Sequence, residues 1–125
     1  MILHIISLSD WEKAIVDGQY CPASLEKDSF IHCSTLEQVI GVANFLYKGK
    51  KELYLLCIEE QKVNPKIVFE DLYNSNKLFP HIYGPLNLDA VFKVVEFPPN
   101  SDGCFDLPCS IIEEYRGIVD FSKGR

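Results

Sequence analysis

Apolar and polar positions fall into blocks along this chain, and each block predicts an element. Ile2 to Ser7 is almost continuously apolar and reads as a buried strand, with His4 inside it. Ser9 and Glu12 have the spacing of a capping box, which predicts a short helix over Asp10 to Asp17. Trp11, Ala14 and Ile15 would face inward, and Gly18 is placed to end the helix. Gln19 to Asp28 reads as a loop broken by Pro22. Ser29 to Tyr47 then begins as a short apolar strand and continues as an amphipathic helix. Ser34 and Glu37 form a second capping box, so the helix is expected to start there. Leu36, Val39, Ile40, Ala43 and Leu46 recur at helical spacing and predict one buried stripe.

Glu52 to Glu59 is apolar on both alternations and predicts a strand buried on both faces. Asn64-Pro65 marks a turn, and Ile67 to Asp71 a short strand. Leu72 to Phe79 is polar and reads as an exposed loop. Pro80 to Leu86 is rich in Pro and Gly and reads as a compact loop. Leu88 to Phe97 predicts a strand with Val91, Val95 and Phe97 on one face, stopped by Pro98-Pro99. Asn100 to Pro108 reads as a loop. A third capping box, Ser110 to Glu113, predicts a final short helix ending at Gly117, followed by a frayed polar tail. Strands mixed with two or three short helices predict an α+β fold with a mixed sheet. Its length fits a single domain over residues 1–125, with a core over about 2–108 and a C-terminal extension over 109–125.

Composition narrows the function. The net charge is −6 and no Lys/Arg-rich block occurs, so bulk nucleic-acid binding is not expected. A local basic pocket stays compatible with that charge. Cys21, Cys33, Cys57, Cys104 and Cys109 are odd in number and form no C-x-x-C pair. They indicate neither a zinc ribbon nor a disulfide framework, and free thiols fit the cytoplasm. The opening apolar run is too short for a signal segment, and no run reaches transmembrane length, so no membrane partner is expected.

Candidate chemistry rests on three histidines, His4, His32 and His81, each flanked by apolar residues. Imidazole suits hydroxyls, phosphates and proton transfer near neutrality. Their spacing gives no support to a metal site, since no pair lies at i, i+2 or i, i+4. His32 and Cys33 are adjacent on a strand and point to opposite faces, which argues against a Cys–His nucleophile. No G-x-S-x-G elbow, P-loop or G-x-G-x-x-G occurs. Glu70 and Glu96 stand out among the carboxylates because each lies inside a predicted strand. The strand-to-helix junction at Ser34 and Thr35 would offer free N–H groups to an anion.

The stretches Leu3-His4-Ile5-Ile6, Phe30-Ile31-His32-Cys33-Ser34 and Phe79-Pro80-His81-Ile82-Tyr83-Gly84-Pro85-Leu86 closely resemble a bacterial domain-of-unknown-function family, number 952. That family resembles the ADP-ribosyltransferase fold: a split, mixed β-sheet with a nicotinamide-dinucleotide cleft between its halves. The resemblance implies that His4 holds the nucleotide and that Phe30 to Ser34 form the strand under the nicotinamide pocket. It also implies a third motif near Pro80 to Val91. There the transferases place a glutamate that binds ribose and stabilises an oxocarbenium-like state. This chain has His81, Ile82 and Tyr83 instead.

The leading expectation is an ADP-ribosyltransferase-like domain that binds a small nucleotide-type ligand in a histidine-lined cleft. Its catalytic residues would be His32 and His81, and its ligand-binding residues His4, Ser34, Thr35 and Tyr83. No metal and no firm cofactor is expected, and NAD is the candidate substrate. Any enzyme would be an ADP-ribosyl or phosphoribosyl-type transferase or glycohydrolase lacking the usual third-motif Glu. Two alternatives stay open: an inert binding or interaction module of the same fold, and a histidine-based metal-dependent hydrolase. The sequence does not set the oligomeric state.

Overall fold

The structure, a computed structural model, describes residues 1–112. In chain order the elements are β1 (Ile2–Ser7), α1 (Leu8–Asp17), β2 (Gln19–Tyr20), α2 (Ser24–Asp28), β3 (Ile31–His32), α3 (Val39–Leu46), β4 (Leu53–Ile58), β5 (Lys66–Glu70), β6 (Phe79–Tyr83), β7 (Leu86–Asn87) and β8 (Val91–Glu96). The fold is α+β. Every described strand pair is antiparallel, which corrects the mixed sheet expected from the sequence. Two three-stranded sheets, β1-β4-β8 and β3-β6-β5, are accompanied by the two-stranded β2-β7 ribbon.

The continuous apolar runs form the strands they predict. β4 is the middle strand of its sheet, and a core packs on each of its faces. On one face, Ile2, Ile6, Leu56 and Ile58 pack against Ile31 and Ile82 of the other sheet and Tyr20 and Leu86 of the ribbon. On the other face, Leu3, Ile5, Leu55 and Cys57 pack against Val39 and Ala43 of α3 and the stacked rings of Phe97 and Phe105. A bulge between Cys57 and Ile58 shifts the β4–β8 register. Val91 therefore packs into the first core while Val95 and Phe97 join the second, and the three do not share a face.

Local signals were displaced where a neighbour supplied a better partner. α1 is capped by Ser7, whose hydroxyl accepts from the Asp10 N–H at 3.2 Å, rather than by Ser9. Gly18 ends it in the left-handed conformation, as its place predicts. Ala14 is buried, but Ile15 faces solvent. The stretch read as a loop over Gln19 to Asp28 contains β2 and α2. α3 starts at Val39 rather than Ser34, and Leu46 of its expected stripe is exposed. A helical turn starts at 109–112, and the remainder of the final predicted helix lies outside the described residues.

The Pro- and Gly-rich stretch forms a strand, β6, at the centre of its sheet. Pro80 sits near the strand's start, where the missing N–H costs least, and its carbonyl accepts from the Cys33 N–H at 3.1 Å. Gly84 then turns the chain with φ +149°, and a Cβ there would lie 3.0 Å from the Pro65 Cβ. We expect Gly84→Ala to destabilise the fold by about 1–3 kcal/mol, the usual range for overpacking. Chemical denaturation checks this, and an unchanged midpoint would mean that the Pro65 turn gives way freely.

Candidate functional site

The site is built on one face of β3-β6-β5. Residues opposite each other on antiparallel strands share a face, and the register pairs His32 with His81. Their neighbours Ile31 and Ile82 point the other way, into the core. The same alternation puts Tyr83 beside His81 and brings Glu70 of β5 to the face, opposite Phe79 and diagonal to His81.

Glu70 holds this face together. Its Oε2 accepts from His81 Nδ1–H at 2.8 Å and from the Tyr83 hydroxyl. These bonds, that from Tyr83 foremost, hold the Glu70 carboxyl below the usual carboxylate range, and the same hydrogen bond pushes the Tyr83 phenol up. Oε1 of Glu70 has no hydrogen-bond partner among the described residues. His81 is only 1% exposed and stacks on Phe30, with ring centroids 3.9 Å apart and planes 20° apart. Its Nδ1–H points at Glu70, so Nε2 has the lone pair. That Nε2 is unbonded, and no buried polar side-chain atom among the described residues lacks a partner. Nε2 therefore lies at the sliver of His81 that reaches solvent.

His32 is half exposed. Its Nε2 lies 2.8 Å from Asp28 Oδ2, and its Nδ1 lies 3.4 Å from the Tyr73 hydroxyl. The two imidazoles meet edge to face at 5.7 Å between centroids. α2 places Asp28 four residues before His32, and Ser29 turns the chain between them with φ +73°.

His4 stands apart. It lies on the core face of β1, where Nδ1 donates to the His32 carbonyl at 2.6 Å and Nε2 accepts from the Tyr20 hydroxyl at 2.7 Å. Burial lowers its pKa to about 4, so it is neutral. Both nitrogens serve the chain itself, so His4 links three strands and offers no atom to a nucleotide. Ser34 and Thr35 are also committed. The Ser34 N–H pairs with Leu3 and the Thr35 N–H with the Gln38 side chain, both within 3.0 Å. The anion-binding role expected of those two backbone groups is therefore not carried forward.

Sequence reasoning missed Asp28, Phe30 and Tyr73 and singled out Glu70 only for its place inside a strand. Phe30 could have been read from its two-residue spacing to His32. Glu96, the other strand-borne acid, is exposed. Cys33 is buried, and burial holds its thiol well above the usual range, which excludes a resting thiolate nucleophile. The histidines border a groove of about 1250 Å³ that is also lined by Lys50, Lys51 and Lys77. Among the described residues no group of three His, Cys, Asp or Glu is placed to hold a metal ion. No described helix is long and apolar enough to cross a membrane.

The family described as "Protein of unknown function (DUF952)" matches residues 5–94. The chain belongs to this family. The matched span takes in Asp28, His32, Glu70, His81 and Tyr83, and His4 lies one residue before it. This DUF952 chain is similar to protein CC0527 from Caulobacter crescentus. The crystal structure of that protein matches with a TM-score of 0.77 at 29% identity, over 85% of this chain and 93% of the other. Its solution NMR structure matches with a TM-score of 0.72 at 29% identity, over 82% and 89%. No curated protein matches the DUF952 chain.

Proposed function

We propose that this DUF952 domain binds a ribose-containing nucleotide, NAD or an ADP-ribose relative, and acts on it as an ADP-ribosyltransferase-like glycohydrolase or transferase. One observation carries the reading. Glu70, fixed by His81 and Tyr83, presents an unbonded carboxylate oxygen beside these two residues, at the stretch where the resemblance to the transferases implies a glutamate. The neighbouring strand thus supplies the carboxylate that the third motif lacks. An ionised carboxylate held in place can bind a ribose hydroxyl and stabilise positive charge developing on the sugar. Lys50, Lys51 and Lys77 along the groove suit the diphosphate of such a ligand in an otherwise acidic protein. The division into two three-stranded sheets supports the split of that fold, though not its mixed pairing, and the thiols of Cys21, Cys33, Cys104 and Cys109 suit a cytoplasmic setting. The metal-dependent alternative has no ligand set among the described residues.

Thermal denaturation with added NAD and ADP-ribose tests the proposal. At 100 times its dissociation constant a ligand stabilises the folded state by about 2.7 kcal/mol. A rise in the midpoint with either dinucleotide, absent with ribose alone, is expected. No rise with either at millimolar concentration would overturn the reading.

A further inference from the structure

Building on that nucleotide reading, we propose that the Asp28–His32 pair is the proton acceptor for an incoming hydroxyl group, so that the group receiving the ADP-ribosyl unit is water or an alcohol. The Asp28 carboxylate accepts from His32 Nε2–H at 2.8 Å, which fixes the tautomer and leaves the lone pair on Nδ1. Nδ1 faces the Tyr73 hydroxyl at 3.4 Å, well beyond the usual hydroxyl distance. A contact so long is a weak cap, and a small hydroxyl can take its place. His32 is half exposed, so the incoming group reaches it from solvent, whereas His81 beside it is sealed except at Nε2. The 5.7 Å between the imidazoles sets this base next to the unit that would hold the ribose.

The step balances without a further reactant. The C1′–N bond to nicotinamide breaks, and its electron pair leaves on the ring nitrogen to give neutral nicotinamide. The hydroxyl oxygen forms the new C1′–O bond. Its proton passes to His32 Nδ1, and the imidazolium is held by the Asp28 carboxylate. A hydroxyl needs such a base, because its proton must leave as the bond forms. Besides Asp28 from α2 and Tyr73 from the loop after β5, His32 faces His81 from β6 and feels His4 from β1.

Nicotinamide release from NAD, followed across pH in the full chain and in His32→Ala, tests this alongside ADP-ribose binding by thermal shift. Release by the parent is expected to depend on pH, and His32→Ala is expected to flatten that dependence. His32→Ala is expected to lose roughly 100-fold in rate, keep ADP-ribose binding, and regain rate with added imidazole. Asp28→Asn is expected to lose rate while still binding. If His32→Ala releases nicotinamide at the parental rate with the parental pH profile, the inference is overturned and the nucleotide reading stands. If the parent binds ADP-ribose but releases no nicotinamide, the inference is likewise overturned while binding survives. If the parent neither binds nor turns over, both fall together.

Discussion

Taking the protein from neutrality down to about pH 4 lowers its unfolding free energy by about 3 kcal/mol through one side chain, His4. The imidazole is buried and neutral, with a pKa lowered from 6.5 to about 4. Its burial is the leading cause. The hydrogen bond to the His32 carbonyl partly opposes the shift, because it suits the charged form as well. In the unfolded chain the same group protonates as the pH falls through 6.5. Between 6.5 and about 4 the unfolded state therefore binds the extra proton, and stability falls with pH. Glu70 and Asp71 add their own losses lower down, because their carboxyls are held below 4.5 and 3.8 by hydrogen bonds that protonation breaks. His4→Phe separates these effects. At neutrality it orphans the Tyr20 hydroxyl and the His32 carbonyl, at about 1–3 kcal/mol each. It also removes the share of the pH dependence that His4 contributes, so the parent and variant curves should converge on acidification. Urea denaturation of both proteins at several pH values measures this. Parallel curves would show that His4 is not held neutral by the fold.

Glu70→Gln should separate binding and chemistry from folding. A glutamine of the same shape keeps one acceptor oxygen but removes the charge. His81 then loses a charge-assisted partner and Tyr83 a strong acceptor. Glu70 is partly exposed, so the fold should survive with a small fall in midpoint. Any turnover of NAD should fall by roughly 100-fold or more, the range seen when an electrostatic stabiliser of a transition state is removed. ADP-ribose affinity should fall less, because a neutral amide still binds a ribose hydroxyl. Equal losses in rate and affinity would show that Glu70 only holds the ligand. Unchanged rate and affinity would remove it from the site.

The framework was legible wherever an apolar run matched the length of one element. Ile2 to Ser7 and Leu53 to Ile58 each form a strand whose burial follows from composition alone. Gly18 was legible because only a residue tolerant of positive φ ends α1 as it does. β6 was not, since Pro80 and Gly84 are local breakers and only pairing with β3 and β5 makes the stretch a strand. The late start of α3 was hidden in the Gln38 side chain, which folds back onto the Thr35 N–H. The site was half legible. His32, His81 and Tyr83 could be named from their residue types and family resemblance, but their partners could not. Glu70 reaches His81 by strand register, and Asp28 reaches His32 through a helix of five residues that has no long apolar pattern. His4 looked like its two counterparts because sequence does not show which face of β1 meets Tyr20.

Strands β5 and β6 are consecutive and paired, so residues 71–78 form the tip of a hairpin that reaches His32 through Tyr73. The tip contributes Tyr73 and Lys77 to the groove but no residue to either core. Asp71 closes its base by accepting from the Ser75 and Asn76 N–H groups. Apart from the Leu78 carbonyl, which accepts from Gln38 Nε2 at 2.8 Å, the stretch can therefore change in length and composition without removing a core residue. On the proposed reading, the tip that touches whatever approaches His32 is held apart from both cores, so a change of acceptor would need only a change in that tip.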